Sequence, residues 1–226
     1  MISETVSHSK ESALVIDCSG TDCFAGILDQ NGNWLARAEA GPGALEALFP
    51  CIKNVLNASN TPLRSISRFI YCRGPGSTLG LRLGAMAINV WSHLAANPVQ
   101  YKTYSSLQLT AALLMIDQPA LKDALILSDW KKGQWHAIDI ENGRFGEIKV
   151  LEESRVSENN LPVYHLPRRK GWQKPPHHSG TLKYSPGRLD EVLASTEILQ
   201  TTTEVELFQA SGSHFAKWSP QRHRAP

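Results

Sequence analysis

Three apolar segments separated by short polar turns open the patterned part of the chain. Residues 13–18, Ala-Leu-Val-Ile-Asp-Cys, are apolar without interruption up to Asp17, as a central strand buried on both faces requires. Residues 23–28 and 33–39 read as two further strands, with Ser19-Gly20-Thr21-Asp22 and Asn31-Gly32 as the turns; Asn-Gly is a strong hairpin signal. The period then changes. Over 44–58, Leu45, Leu48, Phe49, Ile52, Val55 and Leu56 lie opposite Glu46, Lys53 and Asn54, an amphipathic helix that Pro50 should bend. A strand at 68–73, a helix at 79–96, a strand at 99–103 and a helix at 106–116 follow.

Pro119 and Lys122-Asp123 break this pattern, and a second set of strands begins: 124–128, 134–140 and 145–151, with turns at Trp130-Lys131-Lys132-Gly133 and Glu141-Asn142-Gly143. Residues 155–188 are rich in Pro, Arg, Lys and His and have little periodicity, so an irregular segment is expected there. A helix over 189–199, a last strand over 205–210 and a polar basic tail from Trp218 complete the chain. The expected organisation is a polar extension (1–12), a first lobe (13–118) and a reduced second lobe (119–226).

Composition narrows the class. A chain of 226 residues with 42% hydrophobic and 19% charged residues supports a proper core, and a net charge of +2 does not announce nucleic-acid binding. Cys18, Cys23, Cys51 and Cys72 form no C-x-x-C pair, and three sit in apolar runs, which favours buried thiols in a reducing compartment. With a polar start and no membrane-length apolar run, a cytoplasmic protein is expected by elimination.

The densest signal is Arg73-Gly74-Pro75-Gly76-Ser77-Thr78-Leu79-Gly80-Leu81-Arg82-Leu83-Gly84, between a strand and a helix. Free amides and the helix dipole make such a turn an anion site, whereas a well-capped strand-to-helix turn is the plainer reading. Gly74 and Gly76 suit a tight turn or a close backbone approach, and Ser77 or Thr78 can cap the helix. No Walker lysine and no dinucleotide spacing are present.

This stretch resembles the signature of the TsaB family, approximately G-R-G-P-G-S-F-T-G-[LV]-R-[IL]-G. Val15-Ile16-Asp17-Cys18-Ser19 is similar to the family's first strand, and Leu48-Phe49-Pro50 to its L-L-P helix. Here Ser77-Thr78-Leu79-Gly80 replaces Ser-Phe-Thr-Gly, Gly41-Pro42-Gly43-Ala44 replaces the His-Ser before the first helix, and Cys18 replaces a threonine. The order βββαβαβα is that of the actin-like (ribonuclease H-like) ATPase fold, in two lobes with the second reduced. The resemblance implies a non-catalytic subunit that dimerises and scaffolds a TsaD-type catalytic subunit. With a TsaE-type ATPase, that complex transfers a threonylcarbamoyl group to adenosine 37 of tRNA, which this chain would meet indirectly. It implies no cofactor on this chain alone and ATP in the complex. It makes Arg73, Gly74, Pro75, Gly76, Ser77, Thr78 and Arg82 a partner-binding loop. The two helices become an interface, through Leu45, Leu48, Phe49 and Ile52 on one and Leu83, Met86, Ile88 and Val90 on the other. Single-chain core is the alternative for both helices, although 79–96 is apolar nearly all round, as if buried on every side.

Other chemistry is thin. Asp17 and Ser19 stand where an actin-like ATPase keeps its phosphate- or magnesium-associated aspartate, and Ser128-Asp129 loosely matches a second acidic strand end. Asp17 either accepts local backbone hydrogen bonds or belongs to a remnant phosphate site. No histidine pair has metal spacing and no nucleophile elbow occurs, so neither a metal site nor catalytic residues are expected. The cluster Arg168-Arg169-Lys170-Gly171-Trp172-Gln173-Lys174, with His177-His178, and the tail Gln221-Arg222-His223-Arg224 read either as solvated segments or as contacts to tRNA phosphates. A kinase or ATPase active on its own is the alternative function.

Overall fold

The computed structural model describes residues 12–41, 43–167, 174–176 and 178–208. β1 (Ala13–Asp17), β2 (Cys23–Leu28) and β3 (Trp34–Ala40) form the expected antiparallel meander. β4 (Arg68–Cys72) and β5 (Gln100–Tyr104) add in parallel on the other side of β1, reached through α1 (Ala44–Ala58) and α2 (Thr78–Ser92). Alternate β1 side chains face opposite layers, as strand geometry dictates. Leu14 and Ile16 join the core beneath α1 and α2, while Ala13 and Val15 join Leu109, Ala112 and Leu113 of α3 (Ser106–Asp117).

The second sheet repeats the first at smaller scale. β6 (Ala124–Lys131) pairs antiparallel with β7 (Gln134–Glu141), and β7 with both β8 (Arg144–Phe145) and β9 (Lys149–Glu152). β10 (Val163–His165) lies parallel to β6 as β4 does to β1, and β11 (Gly180–Thr181) parallel to β10 as β5 does to β4. The five-residue α4 (Glu153–Ser157) stands where the first lobe has the fifteen-residue α1. α3 lies between the sheets, with Leu107, Ala111 and Leu114 in the core of the second.

Several expectations need correction. The third strand of the second meander is split in two, and 155–188 contains β10, β11 and a 3-10 turn at Pro186–Arg188. The helix expected over 189–199 is α5 (Leu189–Leu193), which ends where the Ser195 hydroxyl turns back on the carbonyls of Glu191 and Val192. Among the described residues the last strand is β12 (Gln200–Thr202); 205–208 is not a strand, and 209–210 lie outside the described residues. β12 extends the first sheet, antiparallel to β5, in the order β12-β5-β4-β1-β2-β3. Helix α1 continues through Pro50, expected as a point of bending, which lies on its exposed side. It is α3, not α2, that is enclosed on nearly all sides. The basic residues 168–173, His177, the tail 218–226 and the extension 1–11 lie outside the described residues. All four cysteines are buried and free.

Candidate functional site: a cleft floored by the glycine turn

A cleft of about 810 Å³ runs between the lobes. The first lobe contributes the β1–β2 turn, Cys18 to Asp22, and the turn and helix start from Pro75 to Arg82. The second contributes Ser128, Asp129, Trp130 and His136, and Lys183, Tyr184, Leu207 and Phe208 complete the wall.

The glycine motif is explained by contact with the β1–β2 turn. A Cβ on Gly76 would lie 2.3 Å from the Ser19 carbonyl oxygen, and one on Gly80 would lie 2.1 Å from that of Cys18. Both neighbours are backbone, so only glycine fits. Gly74 serves differently: its φ of 110° lies in the left-handed region that favours glycine. The Ser77 amide donates to the Ser19 carbonyl at 2.8 Å, and the Ser77 hydroxyl caps α2 by accepting from the Gly80 amide at 3.3 Å. From beneath, the Ser106 hydroxyl donates to the Pro75 carbonyl at 2.6 Å, and the Ser106 amide to that of Gly74 at 3.1 Å. The loop 73–78 is therefore rigidly held, and α2 presents its N-terminus to the cleft. Thr78 and Arg82 are exposed there.

Asp17 does not line the cleft; it is buried behind Ser19. One carboxylate oxygen accepts from the Ser19 amide at 2.8 Å and the Ser19 hydroxyl at 2.6 Å. The other accepts from the phenols of Tyr104, at 2.7 Å, and Tyr184. A carboxylate offers about four acceptor positions, and protein donors occupy them all. Burial, and then the Asp17 charge, push both phenols well above their ordinary range, so each stays protonated and donates. Of the two readings of Asp17, the local hydrogen-bonding one describes this arrangement. Asp129 does line the cleft. Among the described residues no cluster of three or more His, Cys, Asp or Glu could hold a metal ion, and no helix is long and apolar enough to cross a membrane.

The two expected interface helices divide. Leu48, Ile52 and Ile88 are buried in the core of the first lobe and cannot form a contact face, because they pack on β1 and its neighbours. Leu83 is half-buried. Leu45, Phe49, Met86 and Val90 are 57–64% exposed, as are Leu79 and Leu94 at 64% and 61%. The α1–α2 pair thus exposes several large apolar side chains alongside Glu46, Lys53, Arg82 and Asn89, and exposed apolar patches mark interaction sites. Sequence reasoning missed Tyr104, Tyr184, His136 and Phe208, which the chain brings to the site from distant segments with no local motif.

No protein-family model matches the sequence, and no curated protein matches it. The fold does match solved structures. YeaZ from Pseudomonas aeruginosa superposes with a TM-score of 0.59 at 16% identity, covering 81% of this chain and 89% of that one. An uncharacterized protein with similarity to peptidase YEAZ from Pseudomonas aeruginosa gives 0.57 at 17% identity, with the same coverage. With its two lobes of like topology, the chain has the actin-like ATPase fold in the form seen in YeaZ.

Proposed function

We propose that this chain is a non-catalytic scaffold of the TsaB type, YeaZ being the TsaB homologue. Its role would be to dimerise and to hold a TsaD-type subunit during threonylcarbamoyl transfer to adenosine 37 of tRNA, together with a TsaE-type ATPase. The observation that carries this reading is the set of large apolar side chains exposed on α1 and α2, with Phe49 and Met86 exposed at 57% and 64%. In the isolated protein a second copy covers them; in the complex, helices of the catalytic subunit do. The rigid loop 73–78 and the exposed guanidinium of Arg82 then meet an acidic group of the partner. The saturated hydrogen bonding of Asp17 speaks against autonomous ATP hydrolysis, the competing reading.

Light scattering at tens of micromolar, followed by mixing with the TsaD-type subunit of the same cell, tests the proposal. A dimer that exchanges into a mixed complex is expected, and Arg82→Ala should weaken that complex without lowering the melting temperature. A monomer that captures no TsaD-type subunit would overturn the proposal, as would an isolated chain that turns over ATP.

A further inference from the structure

We propose that Trp130 and His136 form a ring-binding shelf on the second lobe, occupied in cis by Phe208, so that the segment after β12 latches the two lobes together across the cleft. The inference is independent of any partner.

The segment is first anchored on the first lobe. β12 lies on the outer edge of β5, and the chain then crosses the end of β4. The Glu206 amide donates to the Tyr71 hydroxyl at 2.8 Å, and the Phe208 amide to the Arg73 carbonyl at 2.8 Å. The Phe208 side chain lies over the glycine turn, its Cβ 3.6 Å from where a Cβ on Gly74 would stand. These contacts explain why 205–208 is not a strand: its amides are spent on a phenol and a turn carbonyl rather than on a ladder.

The ring then reaches the other lobe. Its centroid is 5.4 Å from that of His136 at an interplanar angle of 81°, the edge-to-face arrangement aromatic pairs prefer. His136 lies 5.2 Å from Trp130 at 38°, and the Lys131 ammonium sits 4.1 Å over the Trp130 ring. Trp130 and His136 sit on adjacent strands, and His136 is 5% exposed with a buried Nδ1 that has no hydrogen-bond partner. Tyr184 ties the cleft at Asp17 from the segment after β11; Phe208 supplies a second tie at His136 from the segment after β12.

Amide hydrogen exchange on the full chain tests the latch. In Phe208→Ala, exchange at 72–77 and at 128–136 should rise together by about tenfold, while β1 and α3 keep wild-type protection. Phe208→Leu, which keeps apolar bulk without the ring, should fall between the two. His136→Ala should reproduce the effect from the other wall, and adding it to Phe208→Ala should change little further. Unchanged exchange at 128–136 in Phe208→Ala would overturn the latch, because Phe208 would then pack on its own lobe only. Loss of protection throughout the chain in both Phe208 variants would overturn it equally, making the residue part of the common core.

Discussion

The Ser77 amide donates to the Ser19 carbonyl at 2.8 Å, and this bond joins the start of α2 to the turn after β1. Around it, two glycines bring backbone against backbone. Gly76→Ala and Gly80→Ala should each cost about 2–4 kcal/mol, since the new Cβ would lie 2.3 or 2.1 Å from a carbonyl oxygen that cannot swing away. Gly84→Ala is the control. There the nearest atom, Ile16 Cγ2, is 3.6 Å away, and helix propensity favours alanine by about 0.5–1 kcal/mol. Urea denaturation of the three variants should rank Gly84→Ala at or above wild type and the other two well below; equal stabilities would refute the packing explanation.

The same turn shows what a single chain reveals and what it hides. The strand run 13–17, the glycine spacing and the second meander rest on local periodicity and turn chemistry, which are written in neighbouring residues. The division of α2 is not. Ile88 and Met86 look alike in sequence, and only the position of β1 decides that the first is buried and the second exposed. The bonding of Asp17 is hidden for the same reason: Tyr104 and Tyr184 lie 87 and 167 residues away. The sequence hides β12 because its three polar residues, Gln-Thr-Thr, carry no apolar run and gain strand geometry from the β5 edge.

The division of α1 and α2 makes a sharp pair of expectations. Met86→Glu should leave stability within about 0.5 kcal/mol of wild type, because the side chain faces outward; Phe49→Glu should cost about 0.5–1.5 kcal/mol, because its ring also packs edge-to-face on Trp91. Either should abolish self-association in light scattering. Ile88→Ala, with a fully buried side chain, should cost about 2–5 kcal/mol instead and leave the surviving folded fraction able to associate. Dimers that persist in both glutamate variants would move the interface elsewhere.

Tyr104→Phe removes a buried donor from a carboxylate and should cost about 1.5–3 kcal/mol. Asp17→Ala should cost at least as much, because it strands the buried phenol of Tyr104, the half-buried phenol of Tyr184 and the Ser19 hydroxyl. Neither change should create or remove ATP binding by the isolated chain, since the Asp17 oxygens are already occupied. Thermal melts with and without magnesium and ATP check both statements, and a nucleotide-dependent shift in wild type that Asp17→Ala erases would reinstate Asp17 as a phosphate-site residue.

His136 sets a pH dependence. Burial holds its pKa down, from 6.5 to about 4, because a charged imidazole beside Trp130 and Phe208 loses its water. The unfolded chain therefore binds a proton that the folded chain refuses between those values. The contribution is complete above pH 6.5, declines as the pH falls, and is lost on reaching the folded pKa near 4. Its size is at most about 3 kcal/mol. His136→Phe keeps an aromatic ring against Phe208 without a titrating group. Urea midpoints of the two proteins measured from pH 7.5 to 4 should therefore converge or cross, wild type losing about 3 kcal/mol relative to the variant while carboxylate effects cancel in the difference. Parallel profiles would mean that the imidazole titrates alike in both states and that the His136 wall of the cleft is open to water.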